Sequence, residues 1–269
     1  MQQAEKKDLT KKKEAQVPVT IDLEETAGQG LENITARDVK LPILKILYAN
    51  SKVLDESDGK YNEKAKQGDI YSETSQTLWK GKDGVLVVPC LYVNTFNEWK
   101  DRGDSPGRPV KIHSDPSIMA QTTRGDDNKD RLPNGNYVED TGNWFVLILD
   151  KDRNVIDQGM ITMKSTQKKK SNEWLQKIKS NTLLVEGKAL NPPMYKCIYR
   201  MKVARQESNK YKYFGWLIKF EDYLDDNKDI QSLAQSRKFA HFAKDFNIYY
   251  DSRDEQEEPI KKSTDKVPF

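Results

Sequence analysis

The chain is short of the residues that build most metal and redox sites. It holds two cysteines, Cys90 and Cys197, and two histidines, His113 and His241. They form no Cys-x-x-Cys or His-x-x-x-His pair, which argues against a structural zinc site. Both cysteines sit inside strand-like apolar runs and are expected to be buried free thiols in a reducing compartment. No run approaches the roughly 18–20 apolar residues that a membrane-crossing helix needs. The opening Met-Gln-Gln-Ala-Glu-Lys-Lys lacks the apolar stretch of a signal peptide, so a cytoplasmic location without a membrane partner is expected. There is no Gly-x-x-x-x-Gly-Lys-Ser/Thr phosphate loop and no Gly-x-Ser-x-Gly nucleophile turn. Asp126, Asn128 and Asp130 mimic the start of a calcium loop, but Arg131 stands where that loop needs glycine. The expectation is a protein without catalytic residues, metal or cofactor.

What is present is charge. Charged residues make up 32% of the chain against 36% hydrophobic ones, which predicts a modest core with extended polar segments. Residues 1–34 carry a net −2 and residues 251–269 another −2, so the middle of the chain is +7. Acidic ends of that kind compete with a polyanion for a basic body. The expected organisation is a disordered arm over 1–33, a folded domain over 34–247 and a flexible acidic tail over 248–269.

Thr35 to Ala49 reads as a short helical or turn-rich lead-in, with Leu41, Leu44 and Leu47 on one face. Gly68–Glu73 is a short strand candidate. Gly84–Glu98 is the most apolar strand, and Pro89 within it predicts a bulge or an edge position. Trp99–Gly142 reads as a long polar loop. Two strands follow at Asn143–Asp150 and Val155–Ser165. Over Thr166–Ser180 the period becomes helical, with Trp174, Leu175 and Ile178 on one face. A last helix is expected over Ile230–Phe246.

The most informative stretch runs from Lys188 to Asp222 and predicts two strands joined by a turn at Glu207–Lys210. Cys197, Tyr199, Met201 and Val203 alternate with Lys196, Ile198, Arg200 and Lys202. Beyond the turn, Phe214, Trp216, Ile218 and Phe220 alternate with Tyr211, Tyr213, Leu217 and Lys219. Between Glu186 and Lys219 eight Lys/Arg face two Glu. Cations and aromatics together suit a protein that tracks a phosphate backbone and stacks bases. The fold class expected is mainly β with flanking helices. Its order, strand-strand-strand-helix-strand-strand, is that of a five-stranded OB-like barrel, here with a C-terminal helix added.

On that reading phosphates are held by Lys196, Arg200, Lys202, Lys210 and Lys212, with Lys164 and Lys169 beside them. Bases stack on Tyr211, Tyr213 and Trp99. Three further readings compete: a strand-annealing recombinase, a metal-dependent nuclease using Glu139, Asp140 and Asp150 with Lys151, and a virion or scaffold protein.

The last residues are acidic and end in Val267-Pro268-Phe269, where a ring and a terminal carboxylate together suit a basic-rimmed apolar pocket. Here the chain resembles the single-stranded DNA-binding proteins, whose bacterial members end in an acidic segment followed by Ile-Pro-Phe. Lys261, Lys262 and Lys266 depart from that pattern by interrupting the acidity. The body resembles a group of phage single-stranded DNA-binding proteins through Leu41-Pro-Ile-Leu-Lys-Ile-Leu47, Gly68-Asp-Ile-Tyr71, Val87-Val-Pro-Cys90 and Glu98-Trp99. This resemblance covers roughly residues 35–180. It implies an OB-type module that coats single strands in phage DNA replication and recombination. Val267, Pro268 and Phe269 would recruit replication or recombination proteins, and a homodimer is one candidate state.

Overall fold

Apolar residues two apart, rather than three or four apart, decide the first elements. The computed structural model describes residues 29–30, 42–73, 75–101, 109–207 and 212–256, with the side chains of the last helix described through Lys244. Chain contacts divide the protein into Met1–Thr35 and Ala36–Phe269, and every element below belongs to the second unit. Leu44 and Ile46 are buried on either side of half-buried Lys45, so Leu44–Ile46 forms strand β1. The leucine spacing suggests a helix or turns, but the burial period is two, and Leu41 lies outside the described residues. Strand β2 (Ile70–Ser72) falls inside the expected Gly68–Glu73 and pairs antiparallel with β1. Strand β3 (Leu78–Trp79) pairs with β2 and completes a small sheet.

Strand β4 (Val85–Trp99) runs fifteen residues. The segment after it, expected as one long loop, is built differently. It contains β5 (Lys111–His113), a 3-10 turn at Pro116–Gln121, β6 (Thr123–Arg124) and β7 (Asp130–Arg131). It also holds the first residues of β8, which spans Tyr137–Leu149 rather than starting at Asn143. Those extra residues carry no apolar signal because their partners across the sheet are largely polar: Asn97 opposite Glu139 and Thr95 opposite Thr141. Strand β9 (Val155–Lys164) returns antiparallel to β8. The β4–β8 register shifts between Pro89 and Leu91, so Pro89 sits at a bulge of an interior strand, where its missing N–H is tolerated.

Helix α1 (Lys168–Ser180) buries Trp174 and Ile178 as its period predicted. The Trp174 ring stacks on Trp144 at 4.0 Å. The Trp144 indole N–H donates to Ser171 Oγ at 2.8 Å. A Cβ on Gly142 would stand 2.5 Å from that oxygen, so only glycine lets the helix approach so closely. Lys188 does not begin the basic hairpin; it belongs to a separate small one, β10 (Leu183–Val185) with β11 (Lys188–Leu190). The basic hairpin itself is β12 (Cys197–Glu207) with β13 (Lys212–Tyr223), paired throughout apart from one bulge. Cys197, Tyr199, Met201, Val203 and Trp216 are buried, with Phe214, Ile218 and Phe220 packed against them, on the side their alternation predicted. Helix α2 (Ile230–Gln256) continues beyond Phe246.

The protein is therefore mainly β with a few helices. Its large sheet runs β13-β12-β4-β8-β7-β6, with β5 also on β4 and β9 also on β8, and it curls into a half-barrel. The hollow is filled by Val85, Val87, Trp144, Ile161, Tyr199 and α1. The outer face packs Val88, Cys90, Phe145, Leu147 and Ile198 against Phe239, Ala240 and Ala243 of α2. The small sheet is tied to both sides of the hollow: Met160 N–H donates to Pro42 C=O at 2.8 Å, and Val203 N–H to Gly81 C=O at 2.7 Å. Cys90 and Cys197 are buried free thiols. Among the described residues no helix is long and apolar enough to cross a membrane.

Candidate nucleic-acid interface

The distal end of the β12–β13 hairpin is held against the small sheet by backbone and ring contacts. Gly68 has φ +83°, and a Cβ there would lie 2.8 Å from the Phe214 ring. The ring therefore lies against bare backbone. From the turn after β1, the Tyr48 hydroxyl donates to the Phe214 carbonyl at 3.1 Å. Burial, then the neighbouring Tyr213 phenol, push the Tyr48 phenol above its usual pKa, so it is a protonated donor at neutral pH.

These contacts leave a pocket of about 370 Å³ lined by Tyr48, Ala49, Asn50, Gln67, Arg205, Lys212, Tyr213 and Phe214. The size falls within the range of small-molecule sites. Three aromatic rings and two cations line it, and among the described residues no carboxylate does. Glu207 is 3.6 Å from Lys212, both largely exposed, a pairing worth little in water. A second, larger hollow of about 990 Å³ lies beside β6 and β7 and is of mixed sign. Its five carboxylates, Asp101, Asp127, Asp130, Glu139 and Asp140, stand with Arg124, Lys129 and Lys168. Hydrogen bonds from Arg131 and Lys129 hold the Asp101 carboxyl down to about 2. A polyanion is better matched to the smaller pocket.

The residues expected to bind nucleic acid do not form one surface. Lys212 and Tyr213 line the hairpin-tip pocket; Lys210 and Tyr211 lie outside the described residues. Trp99 and Lys164 meet at the far end of the sheet, the ammonium 5.3 Å from the ring centre. Lys164 is also bound there to Glu139 at 2.7 Å. Met201 of the hairpin stands opposite Val85, and Val85 to Trp99 covers about 45 Å at 3.3 Å per residue. The two groups are therefore separate patches.

Four of the expected cations make ion pairs, the exposed Lys212–Glu207 contact among them. Lys196 pairs with Asp226. Arg200 holds Glu221 with two hydrogen bonds, Nε to Oε2 at 3.1 Å and an Nη to Oε1 at 2.7 Å. Lys164 has Glu139. Among the described residues Lys169 and Lys202 make no ion pair, and both are exposed. The nuclease reading needs Glu139, Asp140 and Asp150 together, but β8 separates the first two from the third. Glu139 pairs with Lys164, Asp140 with Lys168 at 2.8 Å, and Asp150 accepts from the Asn154 and Asp152 amides of its own turn. Among the described residues no group of His, Cys, Asp or Glu is placed to hold a metal ion. Val267, Pro268 and Phe269 lie outside the described residues.

Sequence reasoning missed Tyr48, Asn50, Gln67 and Arg205. Arg205 carried a signal, since it contributes to the hairpin's positive charge. The other three reach the hairpin only through the fold.

A model of the Pam3 phage gp34-like protein family matches residues 10–248. The chain belongs to that family. It is a phage protein, and the match includes every strand described above, the hairpin-tip pocket and most of α2. It stops short of Val267-Pro268-Phe269. No curated protein and no solved structure matches the chain.

Proposed function

We propose that this phage protein binds single-stranded DNA without catalysing a reaction, during phage replication or recombination. The observation that carries the reading is the hairpin-tip pocket, where Tyr48, Tyr213 and Phe214 stand with Arg205 and Lys212 and, among the described residues, without a carboxylate. Rings supply faces for unpaired bases and cations supply phosphate contacts, the combination single-strand binders use. An OB-like reading of the fold is supported by the order of the long strands. β4 pairs with both β8 and β12, β9 follows β8, α1 lies between β9 and β12, and β13 closes a hairpin on β12. The sheet departs from a closed barrel because β13 and β9 are not partners.

The experiment is a titration of end-labelled oligo(dT) and a matched duplex, followed by fluorescence anisotropy at two salt concentrations. Tighter binding of the single strand, weakened by salt, is expected. Equal or absent binding would refute the proposal. The acidic tail with Val267, Pro268 and Phe269 serves in this reading to recruit a replication or recombination protein. Its removal is expected to leave DNA affinity nearly unchanged, and a collapse of binding in the same titration would show that the tip belongs to the DNA site.

A further inference from the structure

We infer that the hairpin-tip pocket reads the identity of the base it holds, so that binding carries a base preference at one subsite. The inference rests on the single-strand reading above. Stacking on Tyr48, Tyr213 and Phe214 accepts any base, because every base has a π face. Discrimination needs a donor and an acceptor aimed at the base edge, and a side-chain amide supplies both. The pocket has two, Asn50 and Gln67. Both residues are exposed, and neither amide has a hydrogen-bond partner among the described residues.

The backbone on which they stand is fixed. Leu47 N–H donates to Asp69 C=O at 2.9 Å, and Gly68 N–H to Leu47 C=O at 2.8 Å. The turn holding Asn50 is closed by Ser51 N–H donating to Tyr48 C=O at 2.9 Å, with Tyr48 N–H donating to Ser51 Oγ at 2.8 Å. The segments around residues 47–51 and 66–69 are thus tied together, and they present the two amides beside the aromatic rings. Arg205 and Lys212 lie on the hairpin side of the same pocket. The occupant that satisfies rings, amides and cations together is one unpaired nucleotide of a DNA strand. Its base lies against the rings with its edge on Asn50 and Gln67, and its phosphate lies on Arg205 and Lys212. A peptide offers no comparable match of a flat ring, a hydrogen-bonding edge and a phosphate.

The test compares wild type with the double variant N50A/Q67A on oligo(dA), oligo(dC) and oligo(dT) of equal length. Strands differ in their own stacking, so the quantity read is the ratio of tightest to weakest affinity in each protein. The shared strand contribution cancels between proteins. The double variant is expected to shrink that ratio about fivefold or more, the scale of a lost base-edge contact. A ratio unchanged in N50A/Q67A, with single-strand binding intact, would overturn the base-reading inference and leave the single-strand reading standing. Absence of single-strand preference in the wild type would overturn both. Tighter binding of matched ribo-oligonucleotides would overturn DNA as the occupant.

Discussion

Replacing Gly68 by alanine tests the joint that holds the hairpin tip. At φ +83° a residue with a Cβ costs about 1–2 kcal/mol in the left-handed region. The added carbon would also lie 2.8 and 2.9 Å from two carbons of the Phe214 ring, and overpacking of that kind costs about 1–3 kcal/mol. G68A should therefore lower unfolding free energy by about 2–5 kcal/mol. In an F214A background the ring is gone and only the backbone part remains, so the same substitution should cost about 1–2 kcal/mol. The difference between the two backgrounds is the coupling between Gly68 and Phe214. Urea unfolding of the four proteins, followed by circular dichroism, measures it provided the slopes agree. Costs that add, with a coupling below about 0.5 kcal/mol, would refute the reasoning that the ring is seated on Gly68. A displaced Phe214 would also strain the Tyr48 hydrogen bond to its carbonyl, so weaker oligo(dT) binding by G68A is expected from the same samples.

Removing Lys202, which makes no ion pair among the described residues, should weaken binding to all single strands alike and reduce the salt slope by about 0.7, the value for one phosphate contact on a single strand. Removing Arg200 should change the slope less, because its guanidinium is already held by Glu221, and E221Q should strengthen binding by releasing it. Equal slopes for K202A and R200A would contradict this. Glu98, near the end of the long strand β4, governs an acid-sensitive joint with His113, Asn134 and Asn136. Burial pushes its carboxyl up, but hydrogen bonds from Asn136, His113 and Asn134 together hold it below the usual glutamate value. A carboxyl depressed in the folded state stabilises above its unfolded pKa and loses that contribution as pH falls through its folded pKa. E98Q should flatten this acid loss in urea midpoints taken between about pH 6 and 3, spanning the ordinary carboxylate range; a curve parallel to wild type would refute the assignment.

The parts of the fold legible in the sequence are those where one face of an element meets the core. The β12–β13 hairpin announced itself because Tyr199, Met201, Trp216 and Phe220 recur every second residue on the buried side. Helix α1 announced itself through Trp174 and Ile178. The first turns of β8 did not, because residues such as Glu139 and Thr141 pair with polar neighbours and leave no hydrophobic period to read. β1 is ambiguous in the sequence because a three-residue step from Leu44 to Leu47 fits a helix as well as a strand, and only pairing with Ser72, Tyr71 and Ile70 decides between them.

The candidate site was less legible, for a reason that lies in electrostatics. Counting Lys and Arg finds where positive charge is made, whereas binding depends on where it is left after folding. Arg200 and Lys196 look alike in the sequence to Lys202, yet the fold sets Glu221 and Asp226 directly against the first two, while Lys202 makes no ion pair among the described residues and feels Glu221 only at longer range. Even the free cations do not define a site alone, since exposed lysines are common on any soluble surface. What distinguishes the hairpin tip is that two cations coincide with three rings and with two amides that have no partner among the described residues. That coincidence is made by the turns around Tyr48 and Gln67, which reach the hairpin only through contacts such as Tyr48 with Phe214, 166 residues apart. The test of function therefore belongs at the junction of the small sheet and the hairpin, where no local stretch of sequence shows the whole site.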